Sequence, residues 1–115
     1  MQYLLLIYEN ESNWVGLDEQ KTGAIMGDYK SFTEDIIKSG HFKAGDALKP
    51  VATATSVRVK DGKTITTDGP FAETKEQLGG YYLIEAKDLD EATKIAARIP
   101  AAKTGTIEVR PILTY

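Results

Sequence analysis

The side chains best suited to chemistry concentrate in one stretch, TTDGPFAETKEQLGGYY, which runs from Thr66 to Tyr82. Within it, Asp68 stands directly before Gly69 and Pro70. A carboxylate in that place either accepts hydrogen bonds from the backbone of a tight turn or lies at the rim of a cavity. In the second case it serves as a general base or anchors a donor group of a ligand. Asp68 is therefore a candidate catalytic residue.

The polar middle of the same stretch offers a second group of candidates. Glu73 is a further carboxylate, and Lys75 and Gln77 follow it. These residues form either a solvated segment, with one turn of helix closed by Gly79, or a cluster in which Lys75 lowers the pKa of a glutamate or binds an anionic group. The Gly79–Gly80 pair would let the chain turn into the next strand without steric cost. We predict Glu73 as catalytic, and Lys75 and Gln77 as ligand-binding.

The single histidine, His41, is the third catalytic candidate. Imidazole titrates near neutral pH and can act as a base, but His41 is flanked by Gly40 and Phe42 at an element boundary, where a hydrogen-bonded surface role fits equally. One histidine with scattered carboxylates lacks the spacing of a metal site. No metal is expected.

Charged and aromatic residues on predicted strands complete the candidates. They either form cross-strand ion pairs and subunit contacts or line a cavity and orient a polar ligand. Tyrosine supplies an apolar wall with a polar tip, and Tyr8, Tyr82 and Trp14 would add to such walls. The predicted ligand-binding residues of this group are Glu9, Arg58, Tyr81 and Arg110. Glu108 belongs to the same group of charged strand residues.

The elements that position these residues follow from hydrophobic spacing. An amphipathic helix is predicted over Asp18–Ser39, and a second begins with a capping box at Asp88 and Glu91 and is stopped by Pro100. Asp61–Gly62 indicates a tight hairpin. The predicted strands are Gln2–Glu9, His41–Pro50, Ala54–Lys60, Lys63–Thr67, Tyr81–Ala86 and Thr106–Leu113.

The order β-α-β-hairpin-β-α-β predicts one α+β domain over residues 1–115, a ferredoxin-like sandwich with an inserted β-hairpin. Two helices cover only one face of such a sheet. The first strand is apolar on both faces, with Tyr3, Leu5 and Ile7 on one side and Leu4 and Leu6 on the other. A second copy of the sheet is the simplest cover, so we expect a homodimer that encloses a barrel-like space.

Composition excludes several classes of function. A net charge of −3 without a Lys/Arg cluster argues against a nucleic-acid partner. The absence of cysteine excludes disulfides and thiolate chemistry, and it suits a reducing cytosol. The apolar start is short and runs into acidic residues, as expected of a strand and not of a signal peptide or membrane span. Without a nucleotide-binding glycine loop or a flavin or haem signature, no cofactor is expected.

The segments TDGPFAETKEQLGGYYLIEA, DLDEATKIAARIPAA and EVRPI resemble the DGPF-motif branch of the YCII-related protein family. The resemblance extends to YLLLIYENE and ALKPVATATSVRV, and so over nearly the whole chain. It implies a dimeric α+β barrel in the bacterial cytoplasm, often encoded beside extracytoplasmic-function sigma factors. Related barrels include small-molecule isomerases, monooxygenases and dehydratases. A His/Asp pair is proposed as the active site of YCII-like relatives, but His41 is not on the first helix, so the pair does not transfer.

The leading hypothesis is a cytosolic homodimer that binds a small organic molecule in a cleft under the Asp68–Gln77 loop. As an enzyme it would be a cofactor-independent lyase, isomerase or oxygenase, with Asp68 or Glu73 moving protons and Lys75 or Arg58 steadying negative charge. One alternative is a non-catalytic regulatory module of a sigma-factor system. Another is a dimer whose cavity is filled by its own side chains.

Overall fold

The computed structural model describes residues 1–115 and contains two helices and six strands. The strands are β1 (Gln2–Glu9), β2 (Phe42–Ala47), β3 (Thr55–Lys60), β4 (Lys63–Asp68), β5 (Gln77–Glu85) and β6 (Thr106–Pro111), and the helices are α1 (Glu19–Lys38) and α2 (Leu89–Ala96). Short 3₁₀ turns lie at Glu11–Trp14, Val51–Thr53 and Pro100–Lys103. The predicted mixed α+β class and element order are confirmed.

Four strands form the main sheet in the order β2-β5-β1-β6, with every neighbouring pair antiparallel. The central strand β1 directs Tyr3, Leu5 and Ile7 toward the helices, where all three are buried. Leu5 lies opposite Tyr82 of β5 and Val109 of β6, so side chains from three strands meet in one layer.

The helices bury one face each against this layer. On α1 the apolar stripe predicted from the spacing, Ile25, Tyr29, Phe32 and Ile36, is present: Phe32 and Ile36 are buried, and Ile25 and Tyr29 are half-buried. On α2 the buried residues are Ala92, Ile95 and Ala96, and the two alanines are small enough to let the helix approach the sheet closely. Burial of apolar surface contributes about 25 cal/mol per Å², so burial of these two stripes stabilises the helices on the sheet.

Capping residues fix where both helices begin. The Asp18 carboxylate accepts a hydrogen bond from the Lys21 N–H at 2.7 Å, and the Asp88 carboxylate accepts one from the Glu91 N–H at 2.9 Å. Glu91 in turn accepts from the Lys87 N–H at 3.1 Å. These contacts satisfy N–H groups that have no partner within the helix. Asp88 is thus the N-cap as predicted, but the return hydrogen bond of the predicted capping box goes to Lys87, one residue before the N-cap, and not to Asp88 itself.

The other face of the main sheet, called the open face below, carries no helix. Its centre is apolar and half-buried, and Glu108 forms an ion pair there with Arg110 two residues along β6. The single chain contains no closed barrel. The apolar residues of the open face are Leu4, Leu6, Tyr8, Leu78 and Leu83.

Strands β3 and β4 form a separate two-stranded sheet, called the arm below, that pairs only with itself. The predicted hairpin is confirmed, since Asp61 and Gly62 both adopt positive φ, 50° and 75°, as a two-residue turn requires. The arm extends the molecule: the radius of gyration is 16.2 Å, against about 13 Å for a compact chain of this length.

Three predicted boundaries are wrong by three residues or more. Strand β2 ends at Ala47 and not at Pro50, and α2 ends at Ala96, before the predicted stop at Pro100. Strand β5 begins at Gln77, not at Tyr81, and no helical turn precedes it. Gly79 and Gly80 therefore lie inside the strand. A Cβ on Gly80 would stand 2.9 Å from the Asp46 carbonyl oxygen, so glycine is needed for the close approach of β5 to β2. Neither helix combines the length and apolar character needed to cross a membrane.

Candidate functional site

A cavity of about 500 Å³ opens between α1 and the end of the sheet formed by β2 and β5. The 3₁₀ turn at Glu11–Trp14 and the segment after β2 contribute to its rim. Half of its lining residues are hydrophobic. They include Ile7, Trp14, Met26, Phe42, Ala47 and Leu48.

Tyr82 forms a fixed inner wall of the cavity. It is buried, its ring lies edge-on to Phe32 with centroids 5.2 Å apart, and its hydroxyl shares a 2.7 Å hydrogen bond with Thr33. Burial raises the pKa of Tyr82, and the Thr33 hydrogen bond opposes that rise. Gly45 on β2 makes room for the ring, because a Cβ there would stand 2.8 Å from Tyr82 Cδ1.

Glu9 is the carboxylate at the end of β1. Its Oε1 accepts a hydrogen bond from the Trp14 indole N–H at 3.0 Å, and its Oε2 accepts one from the Thr104 hydroxyl. Tyr29 of α1 lines the same cavity, and its pKa rises to about 12, first through burial and then through the negative charge of Glu9. The Tyr29 hydroxyl is therefore protonated throughout the neutral range, and it feels the charge of Glu9.

Glu11 holds the rim together. Its N–H donates to Gln77 Oε1 at 2.9 Å, and its own Oε2 accepts from the Val51 N–H at 2.9 Å. Gln77 also donates to the Thr74 carbonyl at 2.5 Å. These hydrogen bonds join three segments distant in sequence, at Glu11, Val51 and Gln77, along one edge of the cavity. They fix the position of the 3₁₀ turn that carries Glu11 and Trp14.

Three of the predicted ligand-binding residues line this cavity: Glu9, Gln77 and Tyr81. Side chains alternate along a strand, so Tyr81 is directed opposite to the buried Tyr82. Its hydroxyl donates to Asp46 Oδ2 at 2.7 Å, and that hydrogen bond raises the pKa of Tyr81. Tyr81 thus joins the outer strand β2 to β5.

Three other predicted residues lie elsewhere. His41 sits between Ser39, at 2.6 Å, and Glu91 of α2, at 3.1 Å, and it does not line the cavity. Arg58 is exposed on the arm, and Arg110 lies on the open face. The His41 contact belongs to the junction of α1, β2 and α2.

The motif loop itself also lies outside the cavity, apart from its last residues. Asp68, Glu73 and Lys75 are exposed, and none of them lines the cavity. The turn after Asp68 is held by the Gly69 N–H, which donates to the Ala54 carbonyl at 2.7 Å, and by the Ser56 hydroxyl, which donates to the Gly69 carbonyl at 2.8 Å. In the single chain, the cavity is therefore under α1 and not under the Asp68–Gln77 loop.

Sequence reasoning missed Tyr29, Thr33, Phe42 and Glu11 as cavity residues. Tyr29 belongs to the helical stripe that predicts core packing, and nothing in the spacing distinguishes a core position from a cavity wall. Glu11 depends on a contact with Gln77, which is 66 residues away in sequence. No three His, Cys, Asp or Glu side chains lie close enough together to hold a metal ion.

Comparison with known proteins gives a match to a described family and to a curated relative. A profile described as the YCII-related domain matches residues 1–115. A curated relative from Rhizobium meliloti (strain 1021), described as an uncharacterized protein, is 38% identical over 117 residues. That alignment covers 100% of this chain and 94% of the relative. The two proteins are thus similar along their whole length.

Proposed function

The chain belongs to the family of YCII-related domains, and we propose that it binds a small organic molecule in the cavity between α1 and the sheet. The observation that carries the proposal is the cavity itself. Its volume of about 500 Å³ falls in the range that small-molecule sites occupy. Its walls are apolar and aromatic with a few polar groups at the rim, which is the usual composition of such sites.

The cavity also holds groups that can move a proton. The Glu9 carboxylate accepts protons, and the Tyr29 hydroxyl, with its pKa near 12, donates hydrogen bonds at neutral pH. A cofactor-independent lyase, isomerase or oxygenase fits these groups. Asp68 and Glu73 stay predictions for proton transfer, and Asp68→Asn tests the first, because a loss of stability with unchanged binding would leave Asp68 a turn residue.

We also propose that the working form is a homodimer of ferredoxin-like protomers from the DGPF branch. The strand order β2-β5-β1-β6 with both helices on one face supports this protomer fold. The half-buried apolar centre of the open face supports a partner sheet packed upon it. A cytosolic location for this dimer stays a prediction.

The arm supports the same assembly. Two-stranded hairpins are marginal in water on their own, yet this one exposes Val57 and Val59, the latter to 70%. Phe71, just after the arm, is 85% exposed. A second copy that packs against the arm would cover these side chains.

Sedimentation velocity of the unmodified protein and of Leu6→Arg tests the dimer. Leu6 lies at the centre of the open face, opposite Tyr81 and Glu108, so arginine there should give monomers with a native circular dichroism spectrum. Val15→Arg is the control, since Val15 is exposed to 78% and lies off the sheet. An unmodified protein that sediments as a monomer would overturn the proposed assembly.

A thermal-shift screen of a fragment library tests the ligand proposal. Gly79→Leu and Gly23→Leu make a matched pair, because each glycine has open space around its Cβ position and only Gly79 lines the cavity. We expect binders whose stabilising effect is lost with Gly79→Leu and kept with Gly23→Leu. A library without binders, or binders insensitive to Gly79→Leu, would refute the cavity as the site.

A further inference from the structure

The charges around the cavity are of one sign. Its lining includes three carboxylate residues, Glu9, Glu11 and Asp46, and no lysine, arginine or histidine. Lys49 lies in sequence between two lining residues without lining the cavity itself. Asp46 pairs with Tyr81, whose side chain is directed away from Tyr82, and the Tyr81 hydroxyl donates to it on that side of the strands. Glu9 and Glu11 are therefore the lining carboxylates that remain for an occupant.

Neither of these glutamates has a cationic partner. The ion pairs of the chain involve other residues, and the donors to Glu9 and Glu11 are the neutral groups of Trp14, Thr104 and Val51. Both glutamates are half-buried. A carboxylate drawn partly out of water gains from a positive charge nearby, because the attraction grows as the effective dielectric falls.

The negative charge acts across the cavity. Glu9 contributes, after burial, to the raised pKa of Tyr29 on the facing helix. The field of Glu9 therefore reaches the wall on which Tyr29 lies. Both residues line the cavity, so a positively charged molecule inside it would be attracted by the Glu9 charge.

The walls suit a cation as well. Trp14, Tyr29, Phe42 and Tyr82 line the cavity, and the faces of aromatic rings attract ammonium groups, with tryptophan the strongest. A combination of aromatic rings with one or two carboxylates recognises organic amines and quaternary ammonium ions. The apolar part of such a molecule would contact Ile7 and Met26.

We propose that the ligand of this cavity is an organic cation: an amine or quaternary ammonium group on an apolar body, with the charge held near Glu9 and Glu11 against the Trp14 ring. This inference rests on the proposed function, since it names the ligand class of the same site. It assigns the binding charge to β1 and the turn after it, and not to the motif loop.

The intrinsic fluorescence of the protein provides the assay. Trp14 is the single tryptophan and lines the cavity, so a bound molecule should change its emission. The probes are benzyltrimethylammonium, the uncharged neopentylbenzene of the same shape, and the anionic phenylacetate. We expect the cationic probe to bind at least tenfold more tightly than either of the others, and more weakly as salt is added.

Three matched substitutions locate the charge. Glu9→Gln and Glu11→Gln remove the charge with little change of shape, and Glu19→Gln makes the same change in the exposed first turn of α1. Glutamine keeps the acceptor for the one donor to Glu11, the Val51 N–H, and for one of the two donors to Glu9. The trimethylammonium group has no N–H to donate, so its attraction to Glu9 is between whole charges. Removal of that charge by Glu9→Gln should weaken binding of the cationic probe about tenfold. Glu19→Gln should leave it unchanged, and circular dichroism checks that all three fold.

The outcomes separate this inference from the proposed function. If the neutral or anionic probe binds as tightly as the cation, or if Glu9→Gln and Glu11→Gln both leave the cation's affinity unchanged, the inference is wrong and the ligand site stands. If no probe of any charge changes the emission and the fragment screen also finds nothing, both fail. Preference for the cation that is lost with Glu9→Gln supports the inference.

Discussion

The substitution Gly105→Ala should be among the most damaging single-methyl changes in this protein. Gly105 precedes β6 and lies against the end of β1 that carries Glu9. A Cβ built on it would stand 2.1 Å from the Tyr8 carbonyl oxygen and 3.0 Å from the Glu9 Cα. Ordinary van der Waals contact begins at 3.4 Å, so backbone atoms of two paired strands would have to move apart by more than an ångström.

Overpacking of this kind costs about 1 to 3 kcal/mol, and backbone neighbours, which cannot rotate away, place Gly105→Ala at the upper end. Alanine also stabilises the protein by about 0.4 to 1 kcal/mol because it restricts the unfolded chain. The free energy of unfolding should therefore fall by about 2 kcal/mol. With an unfolding entropy near 2.1 cal/mol/K per residue, each kcal/mol shifts Tm by about 4 °C in a chain of this length. We therefore expect a fall of about 8 °C.

Thermal unfolding followed by circular dichroism measures the effect, and Gly23→Ala is the control. Gly23 lies exposed within α1 with nothing within 4 Å of its Cβ position. Alanine there should raise Tm by about 4 °C, since glycine costs about 1 kcal/mol in a helix interior. If Gly105→Ala melts at or above the unmodified protein while Gly23→Ala behaves as expected, the close approach of Gly105 to β1 is wrong.

Two further predictions concern pH. Burial and the charge of Glu9 raise the pKa of Tyr29 from 10.0 to about 12. The contribution of its neutral hydroxyl to stability is therefore complete below pH 10 and is lost as the pH rises toward 12. Tyr29→Phe should reduce this alkaline loss of stability in urea unfolding measured across that range, and a pH dependence identical to that of the unmodified protein would contradict the assignment. The Lys87 N–H, followed by His41, lowers the pKa of Glu91, so its contribution is present above the unfolded value of 4.5 and is lost as the pH falls through the lowered folded value. Glu91→Gln should reduce the acid sensitivity of unfolding between pH 5 and 2, and an unchanged acid profile would refute it.

Much of the fold could be predicted from sequence because its signals are local. The hairpin at Asp61–Gly62, the N-cap at Asp88 and the stripe of Phe32 and Ile36 each depend on residues a few positions apart. The start of β5 was misplaced because Gly79 and Gly80 favour a turn by local preference. Their place in a strand comes from pairing with β1 and β2, which local sequence does not encode.

The candidate site was less predictable for the same reason. The cavity depends on contacts between β1, α1 and β5, such as the hydrogen bond from Glu11 to Gln77. Residue types alone pointed to Asp68 and Glu73, the carboxylates nearest the turn. Among the carboxylates that line the cavity, the half-buried ones are Glu9 and Glu11.

The motif stretch from Thr66 to Tyr82 can be understood as the part that joins the arm to the cavity. At its far end, Gln77 ties the Glu11–Trp14 turn to β5, and Gly80 allows β2 to approach. At its near end, Gly69 adopts a φ of 96°, which a side chain would strain. Between these fixed ends Phe71 is left exposed. A connection that directs the arm away from the main sheet needs fixed ends, and its middle can stay exposed. This stretch therefore has a structural role that does not require its ionisable residues to enclose a ligand.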